Sequence, residues 1–495
     1  DESIFSPTLT TTIQGCCLGR LSKEFYELNS DQKAAIRKVI SAKDYTLIQG
    51  FPGTGKTSTI AFIVRLMAAR GKRILISSYT HAAVDNLLLK LVEAGVGQES
   101  GCDLVRIGTK SACHPALHRF LAPEMACEID RVHNGPSHIS GRPSTVNLHR
   151  VVSCAKVIGA TALTIPKTPL LVGEHFDIVI VDEAGQISQP AILGPLMAAD
   201  SFLLVGDHEQ LPPLVQSHPA EKAGYGISML KRLANKYPSA VAQLTLQYRM
   251  HKDICHLCNL VVYEGRLTCA NDEVRSRKLR LPSFPAAIRN ICSSGTVGLG
   301  WLLPVLNPNK AVVFVNTDKI GGDAQTGFKG LEISHGRARD GGGITNHTEA
   351  VLTRLIVHGL QFCGLETKSM GVICPYRSQL KVLNEDPFLI FKKKTGLEIS
   401  TIDRYQGRDK EVIILSLVRS NLMGRTGRLL EDYRRLNVAL SRAKRKLIII
   451  GSHHTLRKGS KVLNPVLKHI EDEGWMETLP ANATQTYEDP LLHLQ

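Results

Sequence analysis

The chain has 495 residues, too many for one ordinary hydrophobic core, and its 43% hydrophobic and 21% charged content sets it apart from disordered polypeptides. Lys plus Arg number 60 against 45 acids, and the resulting net charge of +15 favours a polyanionic partner, nucleic acid first. With 12 Cys diluted over this length, no signal peptide and no apolar run near the roughly 20 residues of a membrane span, a soluble protein of a reducing compartment is expected, without a membrane partner.

Residues 1–27 begin with Asp1 rather than Met and show no clear period, so they are expected to be a linker left from a longer or processed chain. From residue 28 the pattern becomes helix (31–40), strand (45–49), glycine-rich loop and helix (58–69). Short β-rich runs follow at 73–77, 157–159, 177–181 and 201–205. Strands alternating with helices predict an α/β fold with a parallel, doubly wound sheet and ligand groups at the carboxyl ends of its strands. Between 101 and 150 the pattern breaks down in a stretch rich in His, Gly and Pro, expected to be an insertion within a first domain spanning 28–270. Residues 271–310, punctuated by Pro282, Pro285, Pro304 and Pro308, read as an irregular connector. Alternation resumes in a second domain over 311–480. It has strands at 311–315, 371–374, 412–417 and 446–451, and helices over 347–360 and from 378. The polar residues 481–495 read as a flexible tail.

Gly50-Phe51-Pro52-Gly53-Thr54-Gly55-Lys56-Thr57 matches G-x-x-x-x-G-K-[ST] in full, after an apolar run and before a helical pattern, the context that the motif requires. Backbone amides there curl around phosphate oxygens and the helix N-terminus adds partial positive charge. Lys56 is expected to reach the β- and γ-phosphates and the Thr57 hydroxyl to ligate Mg²⁺. The apolar run 178–181 delivers Asp182 and Glu183 to a sheet edge. Asp182 is the expected Mg²⁺ ligand, through water where needed, and Glu183 the general base for the hydrolytic water. Gln210, in Gly206-Asp207-His208-Glu209-Gln210, follows another strand and is placed to sense the γ-phosphate.

With these motifs the sequence resembles superfamily 1 helicases of the group that moves 5′ to 3′, which implies two tandem RecA-like P-loop domains. Gln32, in Leu28-Asn29-Ser30-Asp31-Gln32, is similar to the glutamine that reads adenine in that group, a task suited to an amide that donates and accepts together. Asp182-Glu183-Ala184-Gly185-Gln186 resembles a motif that usually has Ser or Thr where Gly185 stands, so the departure removes a hydroxyl and puts coupling in that loop in doubt. Arg249, in Leu246-Gln247-Tyr248-Arg249-Met250, and Arg442, in Asn437-Val438-Ala439-Leu440-Ser441-Arg442-Ala443-Lys444, match two arginines that such motors supply from the second domain. Guanidinium groups neutralise the transferring phosphoryl group, so a site completed from across a cleft makes ATP binding a closing event. Tyr248 resembles the aromatic that packs on adenosine opposite Gln32.

More narrowly, most of 28–451 is similar to the helicase half of the eukaryotic DNA replication helicase/nuclease family. The resemblance rests on Ser78-Tyr79-Thr80-His81-Ala82-Ala83-Val84-Asp85-Asn86, Gly206 to Pro213, Tyr263-Glu264-Gly265-Arg266-Leu267, Arg434-Arg435-Leu436-Asn437 and Thr401-Ile402-Asp403-Arg404-Tyr405-Gln406-Gly407-Arg408-Asp409-Lys410. It implies ATP and Mg²⁺ as cofactors, with Gly407 and Asp409 near the nucleotide. It also implies single-stranded DNA and 5′ flaps as partners, a single-strand-binding protein as a further candidate, and a nuclear location with the mitochondrion as an alternative. In that family the nuclease site and a cysteine-ligated iron–sulfur cluster lie upstream of the motor, and no residue of this sequence matches either.

Candidate DNA contacts follow the strands: Tyr79, Thr80, His81 and Thr161 in the first domain, Pro375, Tyr376, Arg377 and Thr401 in the second. Hydroxyls, amides and arginines grip phosphates without reading sequence, and the tyrosines can stack bases. Cys255-His256-Leu257-Cys258 is a lone C-x-x-C without the second pair that a zinc site needs, so buried thiols are expected there; Cys16-Cys17 likewise has no second pair, and the loose set Cys102, Cys113, His114, His118 and Cys127 lacks fixed ligand spacing, so no metal is expected. Three functions stay open at this level: a DNA translocase and helicase, an RNA motor of the nonsense-mediated-decay type, and an ATP-gated DNA clamp. Direction of movement comes from the resemblance alone.

Overall fold

The computed structural model describes residues 12–97, 104–134, 143–293, 299–320, 330–335 and 343–484, with backbone alone for 12–17 and 291–293. The start of the expected opening linker, the Cys16 and Cys17 side chains, Cys102 and most of the expected tail lie outside the described residues. By its internal contacts the chain divides into two compact units, Asp1–Thr245 and Leu246–Gln495. The division falls well before the boundary expected at residue 270.

The first unit is built on seven strands: β1 (Tyr45–Gly50), β2 (Ile74–Ser78), β3 (Leu104–Arg106), β4 (Val157–Thr161), β5 (Phe176–Val181), β6 (Ala199–Gly206) and β7 (Val241–Leu244). They pair in the order β3-β4-β2-β5-β6-β1-β7, and every pairing is parallel. Successive side chains on a strand point to opposite faces, so a sheet covered on both sides needs unbroken apolar runs. That is what the sequence supplies. Ile48, Ile76, Ile180 and Val205 enter one core with the helices Ser30–Ser41, Lys56–Ala69 and His81–Glu93, while Leu47, Leu75, Val179 and Leu204 enter the opposite one. The expected insertion is more ordered than its composition suggests: it holds β3 and the helices Ala122–Asn134 and Thr145–Cys154, whose Ala126, Val151 and Val152 pack into that second core.

The second unit opens with two two-residue strands, β8 (Leu246–Gln247) and β9 (Thr268–Cys269), which pair with each other. Its main sheet uses β10 (Val312–Asn316), β13 (Met370–Cys374), β14 (Glu398–Thr401), β15 (Lys410–Ser416), β16 (Ala443–Gly451) and β17 (Met476–Thr478), while β11 (Ile333–His335) and β12 (Gly343–Thr345) form a separate antiparallel pair. The six strands run parallel in the order β14-β13-β15-β16-β10-β17. The stretch expected as a connector belongs to this core. Leu281, Ile288, Leu302, Val305 and Leu306 pack with Leu355, Ile356 and Leu360 of the helix His347–Phe362. Two parallel α/β units in tandem are the RecA-like plan.

Candidate nucleotide and nucleic-acid sites

Parallel register brings the carboxyl ends of β1, β6 and β5 to one edge of the first sheet: Gln49 pairs Gly206, and Val181 pairs Leu204. The loop leaving β1 turns through Gly53 and Gly55, both at positive φ (74° and 82°), a conformation that side chains with a β-carbon adopt at a cost. Gly55 caps the helix Lys56–Ala69. Within the loop Thr54 is buried and its hydroxyl donates to the Phe51 carbonyl at 2.8 Å. The Lys56 ammonium donates to the Gly50 carbonyl at 2.8 Å, bent back over its own loop.

Asp182 follows β5 and is buried, its Oδ1 accepting the Glu183 amide at 2.9 Å. Burial, joined by the neighbouring Glu183 charge, pushes its carboxyl up to about 7, against the opposing pull of Lys56. A buried carboxyl carrying this penalty has the chemistry of a cation ligand, which Asp182 is expected to be, and Thr57 is half-buried in the first turn of the helix Lys56–Ala69. Glu183 holds φ 51°, the left-handed region, where a non-glycine residue stores strain of order 1 kcal/mol. Its Oε2 accepts from Gln186 Nε2 at 3.2 Å.

The glycine at 185 has a packing cause. A β-carbon there would lie 3.1 Å from the Asp207 carbonyl oxygen, because the turn after β5 rests directly on the backbone leaving β6. A Ser or Thr there would require the Asp207 backbone to give way by a few tenths of an ångström. Beyond β6, Asp207 accepts from Gln210 Nε2 at 2.9 Å and from the Glu209 amide at 3.1 Å, which fixes Gln210 in a buried position on the same loop. Gln32 does two things. It closes a capping box with Asn29 at the start of the helix Ser30–Ser41, and its Nε2 lies 3.0 Å from where a β-carbon on Gly55 would stand, so it borders the phosphate loop.

In the second unit the two candidate arginines meet at Ser441. Arg249 Nη1 donates to the Ser441 carbonyl at 3.1 Å, and Arg442 Nη2 donates to the Ser441 hydroxyl at 2.7 Å. Arg442 is buried, with Nε on the Val438 carbonyl at 2.8 Å. Asp409 pairs Arg249 at 3.1 Å and Lys444 at 2.7 Å. Burial alone would raise the Asp409 carboxyl, but Arg249, Lys444 and Arg442 outweigh it and hold it below the usual carboxylate range. Asp409 thus anchors basic side chains, a task the sequence did not disclose. Gln247, which the sequence also gave no reason to single out, is fully buried and clamps the turn that carries Tyr248 and Arg249. Its Oε1 accepts the Arg249 and Met250 amides at 2.8 and 2.7 Å, and its Nε2 donates to the Met250 carbonyl at 2.7 Å. Tyr248 itself is exposed, and Gly407 sits at φ 80°.

The DNA candidates divide by availability. Tyr79 and Arg377 are exposed, and His81 is half-buried at the start of the helix His81–Glu93. Thr80 is exposed but uses its hydroxyl to cap that helix, accepting the Ala83 amide at 3.2 Å. Thr161 is buried and bonded to the Thr164 hydroxyl at 2.7 Å; Thr401 is buried and precedes the short helix Ile402–Tyr405; Pro375 is buried. Tyr376 is half-buried and donates its hydroxyl to the Thr426 carbonyl at 3.1 Å, an arrangement of packing as much as of stacking. Behind His81 lies a network with no signal in the sequence. Arg106 on β3 is fully buried, with Nε on Asp85 at 2.8 Å and Nη2 against His81 Nδ1 at 3.1 Å. The guanidinium can only donate, so Nδ1 accepts and Nε2 carries the ring proton. Burial first and Arg106 second lower the His81 pKa, with Asp85 opposing, which favours the neutral ring. Among the described residues no group of three or more His, Cys, Asp or Glu is arranged to hold a metal, and no helix is long and apolar enough to cross a membrane.

A phosphate loop, paired acids and a buried glutamine on one parallel sheet, followed in the chain by a second such sheet with clustered arginines, fit the helicase class of P-loop ATPases. Two family profiles described as AAA domain match residues 27–134 with 134–218, and 225–454. The chain is 40% identical over 460 residues to the DNA replication ATP-dependent helicase/nuclease of Xenopus laevis, covering 93% of this chain and 40% of that protein. The corresponding protein of Saccharomyces cerevisiae is 39% identical, over 95% of this chain and 28% of its own length, and that of Arabidopsis thaliana 40% identical, over 92% and 30%. The chain belongs to this family, as its helicase region, and spans less than half the length of these relatives. An arterivirus helicase crystal structure aligns with 88% of the chain at 14% identity and a TM-score of 0.39; the fold assignment rests on the two sheets themselves.

Proposed function

We propose that the chain is the ATP-driven motor of a replication and repair helicase–nuclease, moving 5′ to 3′ on single-stranded DNA and unwinding duplex during Okazaki-fragment and DNA-end processing in the nucleus. The observation that carries the reading is the sheet edge that sets the Gly50–Thr57 loop and buried Asp182 at the carboxyl ends of β1 and β5 of one parallel sheet. The loop amides and Lys56 bind the triphosphate, and Gln32 and Tyr248 hold the adenosine. Thr57 and Asp182 would hold Mg²⁺, which would supply charge neutralisation at the phosphates when bound. Glu183 accepts the proton of the attacking water, and Gln210 senses the γ-phosphate. Arg249 and Arg442 neutralise charge on the transferring phosphoryl group, a contribution of about 10³–10⁵ in rate for such arginines. Lys56 leaves the Gly50 carbonyl when phosphate oxygens arrive.

The reading is tested by Lys56→Ala and by tailed substrates. Lys56→Ala is expected to abolish ATP turnover while single-strand binding stays largely intact. The unaltered chain is expected to displace a strand from duplexes with a 5′ tail but not from those with a 3′ tail, and to be stimulated by DNA more than by RNA oligonucleotides. Turnover without strand displacement would favour a DNA clamp, and stronger stimulation by RNA a decay-type motor.

A further inference from the structure

The helix Pro387–Lys394 reads Pro387-Phe388-Leu389-Ile390-Phe391-Lys392-Lys393-Lys394, and the chemistry described above uses none of it. Leu389 and half-buried Phe388 pack into the second core, but Phe391 is 57% exposed and Ile390 40%. Phe388 meets His358 edge-on at 5.0 Å, and His358 meets Phe362 at 4.5 Å. The rings thus continue onto the end of the helix His347–Phe362, where Phe362 is 40% exposed. Lys392 is buried, with its ammonium over the Phe388 and Phe391 rings at 5.0 and 4.9 Å. No charged neighbour acts on it, while burial lowers its pKa. Lys393 and Lys394 are exposed. Beside them an open pocket of about 450 Å³ lies between Gln361, Glu366, Thr367, Lys368 and Thr395. We propose that this face is a second site for single-stranded nucleic acid, with bases stacked on Phe391 and Phe362 and phosphates held by Lys393 and Lys394. This rests on the single-strand binding proposed above, not on the ATP chemistry.

Topology separates this face from the candidate strand contacts of the same unit. β13 and β14 run parallel, with Gly371 paired to Glu398. The helix His347–Phe362 leads to the start of β13 and the helix Pro387–Lys394 to the start of β14, whereas Pro375, Tyr376, Arg377 and Thr401 stand at the carboxyl ends of those strands. The two sets lie at opposite ends of one sheet. Lysines closing a helix answer its dipole, and a run of charge is ordinarily just solvated. Neither explains two phenylalanines left in water beside an ammonium that no acid neutralises. Rings interleaved with cations match a strand, whose every base has a face to stack and whose every link carries a charge. The excess of +15 points to a polyanion as well. The pocket favours a strand over an anionic membrane surface. Its Gln361 amide and its threonine hydroxyls offer donors and acceptors to a base edge, and an acyl layer would leave them unpaired.

The test is photo-cross-linking of the full chain to a thymidine tract carrying iodouracil, a base that bonds to aromatic rings it stacks on, followed by tryptic mapping. Cross-links are expected on peptide 382–392, with Phe388 and Phe391, and on peptide 355–368, with Phe362. In Phe391→Ala the first is expected to vanish. The strand concentration that half-saturates the second should rise about tenfold, within what one stacked base contributes. Lys393→Gln combined with Lys394→Gln should lower the salt slope of that half-saturation by about 1.4, at about 0.7 per phosphate. Both variants change exposed side chains, and an unchanged melting temperature verifies their fold. Cross-links confined to other peptides, or half-saturation unmoved by Phe391→Ala, would overturn the proposal. So would capture by phosphatidylserine–phosphatidylcholine vesicles through Phe391 without strand cross-links here, which would assign the face to lipid. A chain that cross-links at no peptide would refute the strand-binding reading itself, and this site with it.

Discussion

Asp182 carries a cost that the role proposed for it would explain. An acid whose folded pKa lies near 7, against an ordinary value of 3.8, holds its proton more tightly folded than unfolded. Its contribution is therefore neutral at pH below the ordinary value, turns unfavourable as pH rises from there to about 7, and stays so above. At about 1.4 kcal/mol per unit the penalty is at most about 4 kcal/mol. Asp182→Asn keeps the acceptor for the Glu183 amide and removes the charge. We expect the variant to lose ATP turnover yet to melt higher than the unaltered chain at pH 8, by roughly 2–4 °C per kcal/mol recovered, with the gap closing towards pH 4.5. Calorimetry without nucleotide measures this. A variant no more stable at pH 8 would mean that Lys56 already offsets the buried charge.

At the scale of elements, the tie between β3 and the helix His81–Glu93 is a buried ion pair, Arg106 with Asp85, whose second oxygen accepts the His114 amide at 2.8 Å. Removing one partner strands the other in apolar surroundings. Asp85→Ala is expected to cost about 3–5 kcal/mol, whereas adding Arg106→Met should recover part of that loss. A urea-melt double-mutant cycle reads the coupling, and additive losses would contradict it. The double variant should also bind single strands more weakly, since His81 loses the donor that orients its ring. This element shows where the sequence was opaque. The runs at 45–49, 73–77, 177–181 and 201–205 were legible as strands because most residues of β1, β2 and β5 and of the second half of β6 are buried, and the runs are largely apolar. Leu104-Val105-Arg106 has three residues and ends in a charge, so nothing in its pattern announced a strand, and the helices around it are broken by His and Pro. Residues 299–306 were obscured by neighbouring prolines, though their leucines enter the second core. The phosphate loop and its acids are contiguous strings, so local spacing was enough to propose them. Ser441 and Arg106 act through partners distant in sequence, and Gln247 through the backbone of a turn two and three residues on, and only the fold displays those pairs.

For the whole molecule, charge sets how it would hold its track. The excess of +15 and the exposed Arg377 at the start of the helix Arg377–Glu385 favour a grip on phosphates, whereas half-buried Tyr376 and its bonded hydroxyl leave few stacking platforms. Each single-strand phosphate engaged adds about 0.7 to the slope of log affinity against log salt. A grip on about six would therefore weaken binding roughly 300-fold between 50 and 200 mM salt. Arg377→Ala should lower affinity at low salt and reduce the slope by about 0.7, because one released counterion is lost from the balance. Replacing Tyr79 by Ala should lower affinity at every salt concentration and leave the slope unchanged, since stacking displaces no counterions. Fluorescence anisotropy with a labelled oligonucleotide separates the two. An affinity flat across salt would mean that the positive charge serves something other than the strand, and an unchanged slope for Arg377→Ala would remove that arginine from the phosphate path.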